Sequence, residues 1–220
     1  VEKLINPPQM NISAILVTYN DCELLEKCLQ SLTGCSEIIV FDMGSIDGSI
    51  EISRKLSTDV RSIQQADIVE TVWGQIVAEA KNDWIILIDP DEIFPNAILP
   101  ELERIIYTQQ NVGLISIPWK YYFLGQPLDS THWGRNHHKA RIFNRLRVEF
   151  TGIIFVGIKL KQGFTNFSFP HESGFILQHF WINSIKQLFS KHWRYIRNDG
   201  AARYNKGQRF SIKTQWIESY

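Results

Sequence analysis

Apolar and polar positions fall into two regimes along this chain. Up to residue 94, short β-branched runs alternate with stretches of helical period. Residues 12–17 form an apolar run that ends in Thr18-Tyr19-Asn20-Asp21, a loop with a helix cap in Asp21. Leu24, Leu25, Cys28, Leu29 and Leu32 follow at helical spacing, and Gly34 closes that helix. Residues 37–41 read as a second strand, ending in Asp42. The turn Gly44-Ser45-Ile46-Asp47-Gly48-Ser49 then leads into a helix. Residues 60–63 read as a weaker strand and 69–80 as a helix. Residues 84–88 are a short, wholly apolar run of the kind found in a buried central strand. Strands alternating with helices predict an α/β fold: a mostly parallel sheet with helices on both faces.

The second regime carries more aromatic, Arg and His residues. Residues 113–124, 140–144, 148–151 and 175–180 read as short strands joined by loops. Ile185, Leu188, Phe189, His192, Trp193 and Ile196 mark one face of a closing helix, most simply a core face. A basic tail follows Asn198. The expected organisation is a single domain over 1–220, with a nucleotide-binding half (1–94), an acceptor-side half (95–198) and the tail (199–220).

Composition removes several function classes. Lys plus Arg equals Asp plus Glu at 23 each, so bulk charge does not draw the chain to nucleic acid. The three cysteines, Cys22, Cys28 and Cys35, fit neither a disulfide framework nor a zinc site and suit a reducing compartment. There is no signal peptide and no apolar run long enough to span a bilayer. The expected place is cytoplasmic, with room for peripheral association at the inner face of a membrane. The chain begins at Val1 without Met, as a processed or truncated piece would.

The chemistry gathers at strand ends. In open α/β sheets, ligands bind beyond the carboxyl ends of the strands. Thr18-Tyr19-Asn20, Asp42 and Asp89-Pro90-Asp91 all stand there. Tyr19 can stack on a base, or simply pack in its loop. Asp42 can accept from a base N–H or a ribose hydroxyl, or cap a helix. Asp89 and Asp91, with Glu92 beside them, repel one another unless a cation sits among them. They suit Mg²⁺ or Mn²⁺, or form a solvated strand end. Arg135, Lys139 and Arg141 either clamp phosphates or form a solvated basic edge.

The pieces "ILVTYN", "EIIVFDMGSIDGSIEI" and "DWIILIDPDEIF", in this order, resemble the family 2 glycosyltransferases of GT-A fold. Asp89-Pro90-Asp91 corresponds to the DxD motif. "YYFLGQ", "KARIFNR", "FTG" and "KHWRYIRNDGAAR" are similar to the lipopolysaccharide-core branch. The resemblance implies an inverting, metal-dependent transfer from a nucleotide sugar, UDP-linked, to a glycan or lipid-linked acceptor. It puts Thr18, Tyr19 and Asn20 in the nucleotide pocket and Asp42 against the base. It places Asp89 near ribose or metal, Asp91 on the Mn²⁺ or Mg²⁺, and His179 close to that ion. Two places depart from the branch: Trp73-Gly74 stands where Arg-Asn is usual, and Val156-Gly157 where His-Glu is usual. The second departure removes the general base, and His137, Glu149 and Asp129 are the nearby substitutes. His137 is the most apt near neutral pH. The alternatives are a degenerate nucleotide- or glycan-binding module without catalysis, and a nucleotidyltransferase. Against the latter, "VTYNDCE" has no glycine and no Lys or Arg for a phosphate loop.

Overall fold

The computed structural model describes residues 10–66, 69–129, 137–151, 157–185, 188–189 and 192–193. It forms two units, Val1–Trp181 and Ile182–Tyr220. In the first, strands β1 (Met10–Thr18), β2 (Cys35–Asp42), β3 (Asp59–Ser62) and β4 (Trp84–Ile88) lie parallel in the order β3-β2-β1-β4. Helices α1 (Cys22–Gln30), α2 (Ser49–Leu56) and α3 (Trp73–Ala78) connect them. The α/β architecture is the expected one. Every residue of β4 is buried, as its unbroken apolar run requires.

Beyond β4 the sheet is mixed. Strand β5 (Glu92–Ile93) and helix α4 (Leu99–Thr108) come first, then β6 (Val112–Phe123), β7 (Gln126–Pro127) and β8 (His137–Asn144). A separate hairpin, β9 (Val148–Phe150) and β10 (Ile158–Leu160), precedes β11 (Thr165–Ser168) and β12 (Leu177–Ile182). The pairs β4–β8, β8–β6, β6–β7 and β12–β5 are antiparallel, while β11 lies parallel to β6. The full order is β3-β2-β1-β4-β8-β6-β12-β5, with β7 and β11 also on β6. Thus β5 follows β4 closely in sequence yet pairs with β12 at the far end of that order. The acids after β4 therefore sit within reach of both β8 and β12.

Two apolar clusters line the two faces. One joins Leu25, Cys28 and Leu29 of α1 and Leu102 and Ile105 of α4 to Leu16, Ile86 and Ile142. The other joins Trp73, Ile76 and Val77 of α3 to Ile15, Leu87 and Phe143. At the opposite end from the site, buried Glu37 accepts from Ser13 Oγ at 2.5 Å and from the Lys81 amide at 2.8 Å. Asn82 also donates to Ser13 Oγ and to Ser36 Oγ, so this polar knot ties the entry ends of β1, β2 and β4 and leaves the exit ends free for chemistry.

Some expectations are corrected. The helix expected over 69–80 is a 3-10 turn, Val69–Thr71, followed by the short α3. Val69, Thr71 and Val72 are β-branched and resist a continuous helix. The stripe of the closing helix, expected as a core face, is exposed at three of its described residues, and Ile196 lies outside the described residues. In the second unit Ile185, Phe189 and Trp193 are 54%, 71% and 71% exposed. Periodicity fixes which side chains share a face, not what covers it. Among the described residues, no helix is long and apolar enough to cross a membrane.

Candidate active site

The loops after β1 and β2 are sewn together by polar side chains. Asn20, with φ of 57°, takes the left-handed conformation that Asn tolerates. Its amide donates to Ser45 Oγ at 2.9 Å, and its Oδ1 accepts from the Ile46 amide at 2.8 Å. Asp47 accepts from the Cys22 amide at 3.1 Å and from the Ser49 amide at 2.9 Å, joining the starts of α1 and α2. Burial pushes the Asp47 carboxyl up, but bonds from Ser49 and Cys22 outweigh it and lower its pKa to about 2. Tyr19 is left 42% exposed at the rim. Asp21 starts α1, and its side chain accepts from Thr18 Oγ1 and the Tyr19 amide.

Asp42 and Thr18 are buried beneath this rim. Asp42 accepts from the Gly44 amide at 2.9 Å and from the Ser45 amide at 3.1 Å. It therefore folds the turn in which Gly44 adopts a φ of 89°. A carboxylate has about four acceptor sites, so these bonds leave Asp42 capacity for a ligand donor.

The acids after β4 are embedded in charge. Glu92 is fully buried and accepts from the Asp89 amide at 3.0 Å. Lys139 of β8 ion-pairs with Glu92 and, at 3.0 Å, with Asp89 Oδ2. Arg141, on the same face two residues on, donates from Nη2 to the same Asp89 oxygen at 2.7 Å. Burial raises the Asp89 pKa, but Arg141 and Lys139 outweigh it and hold the carboxyl well below its usual range. Strand β12 brings His179 opposite Glu92 in register. His179 Nε2 lies 3.4 Å from Asp91 Oδ1. Lys139 and Arg141 are thus the inner cations of the acid cluster, each with a side chain 12% exposed, and not a solvated edge. Arg135 lies outside the described residues.

Aromatic rings wall this cluster. Trp119 of β6 stacks on His179 at 5.1 Å between centroids and receives Lys139 over its face at 4.3 Å. Tyr121 packs against both Trp119 and His179. Nothing in the sequence pattern alone placed Trp119, Tyr121 and His179 together.

The fit of a divalent cation rests on the donor set. Asp89 Oδ2 is shared by two cations, which leaves Asp91 and His179 as the pair facing each other. His179 Nε2 is the nitrogen facing Asp91, while Nδ1 lies 3.8 Å from Glu92 Oε1 and is buried without a hydrogen-bond partner among the described residues. No group of three or more His, Cys, Asp or Glu there could hold an ion alone. Two protein donors, completed by diphosphate oxygens and water, fit the way Mg²⁺ sites are built with substrate phosphates.

The candidate bases lie apart from one another along the chain. His137 opens β8, in register with Trp119 and on the Lys139 face. Glu149 is on the β9–β10 hairpin, opposite Lys159, and is exposed. Asp129 pairs with Lys120 at 2.8 Å. Val156 lies outside the described residues.

Residues 13–211 match the profile of glycosyl transferase family 2. The chain belongs to that family. Among family relatives, an uncharacterised glycosyltransferase of Mycoplasma genitalium is 22% identical over 65% of this chain and 49% of its own length. One of Rickettsia bellii is 30% identical over 60% and 42%. A lipopolysaccharide core biosynthesis glycosyltransferase, LpsC of Rhizobium meliloti, is 40% identical over 19% of this chain and 16% of its own. The chain thus spans about half, or less, of these relatives. Glucosyl-3-phosphoglycerate synthase of Mycobacterium tuberculosis, solved with Mn²⁺ and UDP-glucose, overlays 49% of this chain and 43% of its own, at 22% identity and a TM-score of 0.42.

Proposed function

We propose that this family 2 chain transfers a sugar from a UDP-linked donor to a hydroxyl of a glycan or lipid-linked acceptor, with inversion. The observation that carries the reading is the acid cluster at the exit of β4, set between the cations of β8 and His179 of β12. Thr18, Tyr19 and Asn20 border the nucleotide, and Asp42 meets the base N–H. Asp91 and His179 would hold Mn²⁺ or Mg²⁺, with Asp89 beside them at the ribose. Such a cation supplies Lewis-acid neutralisation of the diphosphate.

The residues of the chain do the rest. They hold the donor so that the acceptor oxygen approaches the anomeric carbon from the face opposite the diphosphate. The new C–O bond forms as the bond to the diphosphate oxygen breaks, and that oxygen keeps the electron pair. The acceptor proton goes to a base, for which His137 on the Lys139 face is the first candidate and Glu149 the second. In this reading the acceptor hydroxyl belongs to a cell-envelope glycan at a membrane surface.

One observation favours a second reading, a nucleotide- or glycan-binding module without catalysis. Gly157 has no side chain to hold a proton where the branch carries an acid. Calorimetric titration of UDP, GDP, ADP and CDP, with Mn²⁺ and with chelator, tests the binding half of both readings. The proposal expects UDP to bind tightest and in a metal-dependent way. Indifference to every nucleotide would refute it.

A further inference from the structure

We infer that Arg141 is a direct contact for the donor diphosphate, seated by Trp73, and that the glycine at 157 exists to admit Trp73. The inference rests on the nucleotide-sugar reading. It begins with the two departures from the branch. Trp73 is 7% exposed. A Cβ added at Gly157 would lie 2.3 Å from Trp73 Cζ3, with Cη2 and Cε3 of the same ring at 3.1 and 3.2 Å. No side chain can stand at 157 while the indole is in place. Gly157 also has a φ of 37°. The two positions, far apart in sequence, are thus sterically coupled: the ring at 73 fills the space that a side chain at 157 would need.

What the indole does there is visible on its face. The Arg141 guanidinium lies 5.1 Å from the Trp73 ring centroid. Lying over the ring and tied by Nη2 to Asp89, the guanidinium is held from two sides. Its Nε is buried and has no partner among the described residues. An N–H buried without an acceptor is unfavourable, and one on a fixed cation facing an acid cluster is a donor held ready for an anion. Lys139 differs, since Asp89 and Glu92 both engage its ammonium. A planar fork with spare donors matches the paired oxygens of a diphosphate. Arg141 is therefore the contact, and Trp73, which meets no substrate, is a positioning residue.

The test compares a nucleoside diphosphate with its monophosphate, because only the first reaches Arg141. The probe is whichever of UDP, GDP, ADP and CDP the wild type binds best with Mn²⁺, alongside the matching monophosphate. Arg141→Gln should weaken the diphosphate at least about tenfold and move the monophosphate less than about twofold. Trp73→Leu should weaken the diphosphate by about threefold or more, again sparing the monophosphate. Arg141→Lys keeps a cation against Asp89 should the glutamine variant fail to fold, and it should also lose diphosphate preference. Equal weakening of both nucleotides, or no change in either, overturns the role of Arg141. A wild type that binds no nucleoside diphosphate overturns the reading beneath it as well.

Discussion

Gly157→Ala is the perturbation whose consequence can be worked most directly. The new methyl would sit 2.3 Å from the Trp73 ring, where real contacts do not occur. Trp73 belongs to a packed cluster with Ile76, Val77 and Phe143, so the ring has little room to move. Overpacking of this kind costs about 1–3 kcal/mol. A non-glycine residue at φ of 37° adds about 1 kcal/mol. The expected loss is about 2–4 kcal/mol, or roughly 4–16 °C in melting temperature for a chain of this size. Thermal melts followed by circular dichroism, with a urea titration for ΔΔG, read it directly. The double variant Trp73→Leu with Gly157→Ala removes the clash. Its loss should fall at least about 1 kcal/mol short of the sum of the single losses. A Gly157→Ala melt within about 0.5 kcal/mol of wild type, or strict additivity, would refute the coupling of the two positions.

Three further outcomes follow from the same geometry. Asp91→Asn keeps the shape but removes the negative charge of one of the two groups facing each other across 3.4 Å, so calorimetry should show metal-dependent nucleotide binding lost with the metal-free melting temperature barely moved. The Asp47 carboxyl is lowered from 3.8 to about 2, so its contribution is complete above pH about 4 and fades as pH falls towards 2. Its partial exposure limits this to about 1 kcal/mol, and Asp47→Asn should flatten the urea stability profile in that window. Burial pushes the Cys35 thiol to about 12 and raises Cys28 well above its usual value, whereas Cys22 is only partly covered. A thiol reagent at pH 8 should therefore modify one cysteine per native chain, and three rapid equivalents would contradict the packing of α1 and β2.

The first half is legible because each buried strand is a short apolar run that ends at a polar residue. The expected strand over 84–88 matches to the residue, and those expected over 12–17 and 37–41 match within a few positions. Helix α4 was passed over, although Leu99, Leu102 and Ile105 form its buried stripe and Pro100 stands at its start. Strands β5, β7, β10 and β11 are two to four residues long, too short for a period of two to register. The fine structure of the site was beyond the sequence for another reason. That Lys139 and Arg141 face Asp89 and Glu92 depends on antiparallel pairing of β8 with β4, a long-range choice that no local pattern encodes. Trp73 and Gly157 stand apart in the sequence, and only the fold brings them against each other.

In the proposed function the chain breaks a nucleotide-sugar bond at the acid cluster after β4. The most direct measurement is release of nucleoside diphosphate from a panel of UDP-, GDP- and ADP-sugars, with Mn²⁺ and with chelator, by wild type and Asp91→Asn. The account predicts metal-dependent release from a UDP-sugar by the wild type and none by the variant. Equal release by both proteins, or none from any donor by a wild type that binds no nucleotide, would contradict it.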